Sequence, residues 1–250
     1  MKNLFAFIFY LAFTSNTFTQ VNIVHPPNWW IGFENTNLQL LVKNENISNY
    51  DVFIDYPGVT IKSIQKADSP NYIFINLDIS PNTKEGNFKI IFKNDNEGLS
   101  YMYNLKNKRG FQYQNEGFDS SDVVYLITPD RFVNGDKKND IIRNMRENSI
   151  DRSDGYARHG GDIKGISENL DYIDNMGFTS LWLNPVLIND MKHGSYHGYA
   201  TTDYYTVDPR FGTFKEYLEL SEKAVEKNIK LIKDIIVNHC GLYHWWMDDL

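Results

Sequence analysis

Apolar positions come in short runs through the first hundred residues, then shift to a longer period. Leu38-Gln39-Leu40-Leu41-Val42, Val52-Phe53-Ile54, Val59-Thr60-Ile61, Tyr72 to Leu77, Phe88 to Phe92 and Leu99 to Leu105 are β-rich segments. Pro57-Gly58, Ser69-Pro70-Asn71, Pro81-Asn82 and Asn94 to Gly98 divide them. Short strands with turn residues at this spacing predict an all-β, immunoglobulin-like sandwich over residues 20–105. The polar stretch that follows, with Lys106-Asn107-Lys108-Arg109-Gly110 and Asn115-Glu116-Gly117, reads as a linker over residues 106–121.

From residue 122 onward the pattern is α/β. Asp122 to Thr128 predicts a strand. Ile166, Leu170, Ile173 and Met176 recur at helical spacing, and Gly177 stops that helix. Ser180 to Leu183 is a second strand. Thr213-Phe214-Lys215-Glu216 has the form of a capping box, and Tyr217, Leu220, Ala224 and Val225 give the helix behind it one apolar face. Lys230 to Val237 is a third strand. This alternation means parallel pairing with crossovers; pattern alone allows a doubly wound sheet or a barrel equally. Two connections are long, Pro129 to Gly161 and Pro185 to Gly212. Both follow strands, so both lie at the carboxyl ends of the sheet, where parallel α/β folds build their sites.

Composition narrows the function. With 250 residues and 42% apolar content the chain can bury a substantial core. Net charge is −7, and no basic cluster interleaved with aromatics occurs, which excludes a nucleic-acid footprint. Leu4 to Phe13 is an unbroken apolar run behind Lys2, too short to span a bilayer; residues 1–19 read as a signal peptide and predict export to a periplasm or the outside. No later segment predicts a membrane span. Cys240 is the single cysteine, so no internal disulfide can form; it reads as a small buried residue. The aromatic fraction, 15%, suits sugar stacking as well as core packing, and Trp29 and Trp30 in Pro26-Pro27-Asn28-Trp29-Trp30-Ile31-Gly32 could do either.

The chemistry-bearing motifs lie in one order. Tyr125-Leu126-Ile127-Thr128-Pro129-Asp130-Arg131-Phe132 is followed by Gly160-Gly161-Asp162 and Ser180-Leu181-Trp182-Leu183-Asn184-Pro185. Tyr196-His197-Gly198-Tyr199, Asp208-Pro209-Arg210-Phe211-Gly212 and Asp234-Ile235-Ile236-Val237-Asn238-His239 come next. This series resembles the first three β/α units of the α-amylase family of glycoside hydrolases. The start is similar to the neopullulanase and cyclomaltodextrinase branch, and the leader with the Trp pair to its exported starch-utilisation members. The resemblance covers Asp122 to about Gly241, and it resolves the choice between sheets in favour of a (β/α)8 barrel. It implies action on α-1,4-glucans such as starch, maltooligosaccharides, pullulan or cyclodextrins, with retention. It implies that Tyr199 stacks on a glucose ring, and that His197 and His239 hydrogen-bond sugar hydroxyls. Asp234 and Asn238 would be structural at the same site, Asp234 finding an Arg or hydrogen-bonding partner in the family's next strand. Asp203 would be structural, and Arg210 would fix the loop before the capped helix. A homodimer through the N-terminal domain is the family's frequent assembly.

The first long loop carries hard oxygen donors at Asn134, Asp136, Asn139 and Asp140, with Gly160 and Asp162 following. Such donors suit Ca²⁺, though an Asn/Asp-rich loop is by itself usually only solvated. The set matches the branch's calcium loop position by position, Gly160 giving its carbonyl, and implies a structural ion.

The same resemblance places the nucleophile, the acid/base and a third carboxylate after strands 4, 5 and 7, beyond Leu250. Asp248 and Asp249 do not match those motifs, so no catalytic residue is assigned. The expectation is therefore the front part of a longer enzyme, inactive as it stands, with three strands that cannot close a barrel and an exposed apolar edge. A non-catalytic α-glucan binder and a transglycosylase or isomerase on the same scaffold stand as alternatives.

Overall fold

The computed structural model describes residues 19–107 and 117–247, in two compact units, Met1–Gln112 and Tyr113–Leu250. The signal segment lies outside the described residues except for Thr19. So do most of the linker and Asp248 and Asp249.

In the first unit, strands β1 (Thr19–Gln20), β2 (Ile23–His25) and β3 (Asn28–Trp30) lead into β4 (Asn37–Lys43), β5 (Asp51–Ile54) and β6 (Val59–Lys66). β7 (Tyr72–Ile79), β8 (Gly86–Lys93) and β9 (Gly98–Lys106) complete it. One sheet runs β1-β9-β8-β5, with β3 also paired to β9; the other runs β2-β4-β7-β6. Alternate residues point inward. Leu40 and Val42 of β4, Ile73, Ile75 and Leu77 of β7, and Ile90 and Phe92 of β8 form one apolar core. Burying a side chain of this size stabilises by about 1.5–3 kcal/mol. β6 lies at an edge, and a register shift between Ile61 and Ser63 breaks its alternation; most of its residues beyond Val59 face water. The Trp pair divides as a packing pair does. Trp29 packs on the core, whereas Trp30 is exposed with the Lys106 ammonium 5.7 Å from its ring.

The second unit holds a parallel three-stranded sheet in the order β10 (Val124–Ile127), β11 (Ser180–Leu183), β14 (Lys230–Lys233). The first crossover helix is two pieces, α1 (Ile163–Glu168) and α2 (Leu170–Asn175), because Asn169 leaves helical geometry and caps both. Asp162 caps α1, its side chain accepting the Gly165 N–H. The expected apolar stripe stops at Ile173, and Met176 is exposed. The second helix, α3 (Phe214–Glu226), carries the expected capping box, with Thr213 and Glu216 each bonding the other's main chain. Leu220 and Ala224 are buried and Tyr217 packs on the core, but Val225 turns to water, one position off the stripe.

Two expectations on strands change. The third strand ends at Lys233, since β11 offers only four partner positions, Ser180 to Leu183. Residues 234–237 therefore leave the ladder. The second long loop, for which no strand was expected, contains a small antiparallel pair, β12 (Leu187–Ile188) against β13 (Asp203–Val207). The inward face of the parallel sheet packs Ile127, Leu181 and Leu183 against Ile163, Ile166 and Leu220. The opposite face leaves Leu126 and Trp182 exposed among the described residues.

Candidate active-site cleft and calcium loop

The carboxyl ends of β10, β11 and β14 carry the loops that hold every candidate residue. Residues 195–197 form a single 3-10 turn. Gly198 follows at φ 79°, and a Cβ there would stand 2.0 Å from the Pro185 carbonyl oxygen. Only glycine lets the chain pass so close to the end of β11. That passage brings Tyr199 to the centre of the cluster.

Tyr199 touches three of the expected residues, each through a different group. Its main-chain N–H donates to His197 Nδ1 at 2.5 Å. Its carbonyl lies 3.1 Å from His239 Nε2. Its hydroxyl donates to Asp234 Oδ2 at 3.0 Å. Asp234 also accepts from the Trp182 indole N–H at 3.1 Å. Its partners among the described residues are thus Trp182 of β11 and Tyr199 of the loop. Burial, helped by the Asp234 hydrogen bond and charge, holds the Tyr199 phenol above its ordinary range.

These contacts set the imidazole tautomers. An N–H directed at His197 Nδ1 requires that nitrogen to be bare, so the neutral ring carries its proton on Nε2 and offers it as a donor. Burial lowers the His197 pKa, against the opposing pull of Glu147, so the ring is neutral at pH 7. The His197 and Tyr199 rings stack with centroids 5.9 Å apart. His239 is held by the chain itself. Its Nε2 proton goes to the Tyr199 carbonyl, and Asn238 Nδ2 lies 3.2 Å from its Nδ1. The His239 carbonyl in turn accepts from the Tyr204 hydroxyl at 2.6 Å. In this arrangement His239 and Asn238 brace the loop, and among the described residues His197 Nε2 keeps its donor without a partner.

Several further residues hold these loops. Asn184, at the end of β11, donates to Thr128 Oγ1 and to the His197 carbonyl. Arg131 places its guanidinium 3.9 Å from the Tyr196 ring centre and donates to the Gly155 and Ala157 carbonyls. Arg158 is fully buried, 3.6 Å from Asp130 and over the Phe211 ring. Arg210 forms a bidentate pair with Asp208, at 2.9 and 2.8 Å, with neither side chain exposed. Of these, Arg158 stands outside every motif in the sequence, and only its burial marks it. Asp203, expected to be structural, closes its own turn by accepting from Tyr205 N–H and Thr206 Oγ1.

The six candidate residues fall into two groups, Asp136 and Asn139 on Asp162, and Asn134 and Gly160 on Asp140. The two Asp162 oxygens accept from Gly135 N, Gly165 N, Asp136 N and Asn139 Nδ2. Asn134 Nδ2 donates to Asp140 Oδ1 at 2.6 Å. A Cβ on Gly160 would meet that same Asp140 oxygen at 2.7 Å, which places Gly160 against Asn134 and Asp140. The side-chain oxygens of Asn134 and Asn139 are buried without a hydrogen-bond partner. Among the described residues no three His, Cys, Asp or Glu side chains converge as a cluster able to hold a metal ion. A cation here would have to be held largely by amide and carbonyl oxygen.

The sequence model described as the alpha amylase catalytic domain matches residues 126–250, half of the chain. The chain belongs to the alpha-amylase family. Its first unit matches the cyclomaltodextrinase N-terminal family over residues 23–109. Among related α-amylase family proteins, it is 45% identical over 122 residues to a beta/alpha-amylase of Paenibacillus polymyxa, covering 49% of this chain and 10% of that protein. A cyclomaltodextrinase of Thermoanaerobacter pseudethanolicus is 40% identical over 119 residues, 48% of this chain and 20% of that protein. Neopullulanase 2 of Thermoactinomyces vulgaris is 36% identical over 121 residues, again 48% and 20%. The chain thus spans a fifth or less of the length of these relatives. As an α-amylase family chain it carries an N-terminal sandwich and the start of the catalytic domain, and no helix among the described residues is long and apolar enough to cross a membrane.

Proposed function

We infer that this chain builds one wall of the sugar-binding cleft of a glycoside hydrolase acting on α-1,4-glucans, cyclodextrins or pullulan. The observation that carries this reading is the position of Tyr199, bonded to His197, Asp234 and His239 at once. That contact set presents an aromatic face beside a neutral imidazole with a free Nε2 donor. A ring face and a directed N–H are what a pyranose offers complements for: its C–H face and its hydroxyls. The names of the relatives, cyclomaltodextrinase and neopullulanase among them, support the substrate class.

Retaining hydrolysis needs two carboxyl groups about 5–5.5 Å apart, as nucleophile and acid/base. The cluster described here contains one carboxylate, Asp234, and it is occupied by Trp182 and Tyr199. Its part is therefore binding and orientation. His197 would hold a sugar hydroxyl, Tyr199 would set the ring plane, and Asp234 would keep Tyr199 in place. For the same reason glucan binding without cleavage is the second reading for this chain.

The first loop fits a calcium ion. Asn134 and Asn139 each have a buried oxygen without a donor, Asp136 and Asp140 add charge, and Gly160 supplies a carbonyl. Asp162 would act from behind, fastening the loop through its hydrogen bonds. The ion would brace the loop that carries Arg158 and Arg131. Export to the periplasm or beyond is supported by the apolar leader and by the relation to a periplasmic alpha-amylase of Escherichia coli, 30% identical over 130 residues.

Titration calorimetry with maltoheptaose tests the binding reading. Measurable heat that disappears in Tyr199→Ala and His197→Ala is expected. Heat unchanged in both variants would place any glucan site elsewhere, and no heat from the folded wild-type chain would remove the reading.

A further inference from the structure

The turn that aims His197 is gripped from a distant loop by a buried carboxylate. Glu147 is 8% exposed, and its Oε2 accepts the Ser195 N–H at 2.8 Å. Among the described residues it makes no ion pair within 4 Å: the two buried guanidiniums, Arg158 and Arg210, pair at contact distance with Asp130 and Asp208, and the Glu147 charge reaches Arg158 only from further off. A buried carboxylate with one main-chain hydrogen bond is costly unless it holds something the fold needs held. Two further contacts define what it holds. The Ser195 carbonyl accepts from Asn189 Nδ2 at 3.2 Å, so the first residue of the turn is clamped at both its N–H and its C=O. The main-chain carbonyl of Glu147 accepts from Arg210 Nη1 at 2.9 Å, and the Asn189 carbonyl from Arg210 Nη2 at 2.8 Å. Both jaws of the clamp are therefore mounted on one buried arginine.

We propose that Glu147 is a positioning residue, which sets the Ser195–His197 turn through the Ser195 N–H and so directs the His197 Nε2–H into the cleft. His197 lies two residues beyond the clamped position. Its ring orientation follows from where the turn delivers its Cα and from the Tyr199 N–H that meets Nδ1. The proposal rests on the reading of this cleft as a glucan site only for its consequence in binding; the positioning itself can be tested without ligand.

The test compares Glu147→Gln with Glu147→Asp in the whole chain. Gln keeps an acceptor oxygen at the same reach and loses the charge. Asp keeps the charge and withdraws the oxygen by about 1.5 Å. Amide hydrogen exchange and the 15N shifts of the His197 ring are read by NMR, with the β11 amides as an internal control. In the Asp variant Ser195 should exchange about tenfold faster or more, and the His197 ring should lose its single Nε2–H tautomer, while β11 stays protected. In the Gln variant both should stay close to wild type. Maltoheptaose should bind about fivefold or more weakly to the Asp variant and within about twofold of wild type to the Gln variant. Ser195 and His197 behaving alike in the two variants would overturn the proposal. Loss of β11 protection in both would assign Glu147 to core stability and overturn it equally. If wild type takes up no maltoheptaose but the Ser195 and His197 differences appear, the glucan reading fails and the positioning role stands.

Discussion

Replacing Arg210 by Met should cost the second unit about 3–5 kcal/mol at neutral pH, the range for removing one partner of a buried ion pair. The structure argues for the upper end. Arg210 and Asp208 are both fully buried, and Arg210 also satisfies the carbonyls of Glu147 and Asn189. Met fills most of the volume but leaves Asp208 and both carbonyls without these donors. The pH dependence makes the test specific. In the wild type, burial pushes Asp208 up, but the Arg210 hydrogen bonds and charge, with Arg158, outweigh it and hold the carboxyl below its ordinary value. Its stabilisation is therefore present above the unfolded value of about 3.9 and is lost as pH falls through the folded one. In the Met variant burial is opposed only by the weaker Arg158 interaction and by the main-chain N–H groups of residues 189 and 210, so the folded value moves up from that of the wild type. The variant's deficit should then be largest at pH 7 and shrink as pH falls through the carboxylate range, as Asp208 takes a proton. Urea unfolding followed by tryptophan emission at several pH values measures both quantities, with Trp182, Trp245 and Trp246 reporting on this unit. A deficit under about 1 kcal/mol, or one independent of pH over that range, would refute the assignment of Asp208 and Arg210 as a buried pair.

Three further outcomes follow from separate contacts. Gly161→Ala should destabilise the first loop by about 1–3 kcal/mol, because the new Cβ would stand 2.1 Å from the Pro129 carbonyl oxygen, and backbone cannot yield as a side chain can; chemical denaturation of the variant reads the loss. Thr213→Ala should cost about 1 kcal/mol, removing the acceptor for the Glu216 N–H, and should raise exchange of the first-turn amides of α3 while leaving its C-terminal turn unchanged. Calcium should raise the thermal midpoint of the chain and chelator should reverse it. Asn134→Ala and Asp140→Ala should abolish that response, and a calcium response preserved in both would move the ion away from this loop.

Much of the architecture could be read along the chain. Six runs of β-rich residues foretold β4 to β9, since inward alternation on a two-sheet core leaves a period-two trace in each strand. The capping box at Thr213 and Glu216 was legible because a cap is made within four residues. Where the reading failed, something beyond the local pattern intervened. Lys230 to Val237 reads as one strand, but pairing with β11 ends at Lys233, and no local propensity sets the length of a neighbour. Val225 reads as part of an apolar face and lies exposed, since a stripe fixes an angle on a helix but not how far the core extends around it.

The candidate site divides in the same way. His197, Tyr199, Asp234, Asn238 and His239 could be selected by the order of their motifs, and Gly198 by the close approach it permits. Their contacts could not. That His239 spends its Nε2 proton on the Tyr199 carbonyl, and that Asp234 takes its donors from Trp182 and Tyr199, depends on atoms 35 to 52 positions apart in the chain. Glu147 and Arg158 carry no local mark in the sequence and are buried. By itself, then, the sequence determined the order of strands and helices, the caps, and which loops stand at the carboxyl ends of the parallel strands. Those features follow from backbone sterics and hydrophobic period over a few residues. The tertiary structure alone decided which buried charges pair, which imidazole keeps a free donor, and what clamps the turn that holds it. A buried polar group is settled by whatever partner the fold delivers within about 3 Å, and that partner can come from anywhere in the chain.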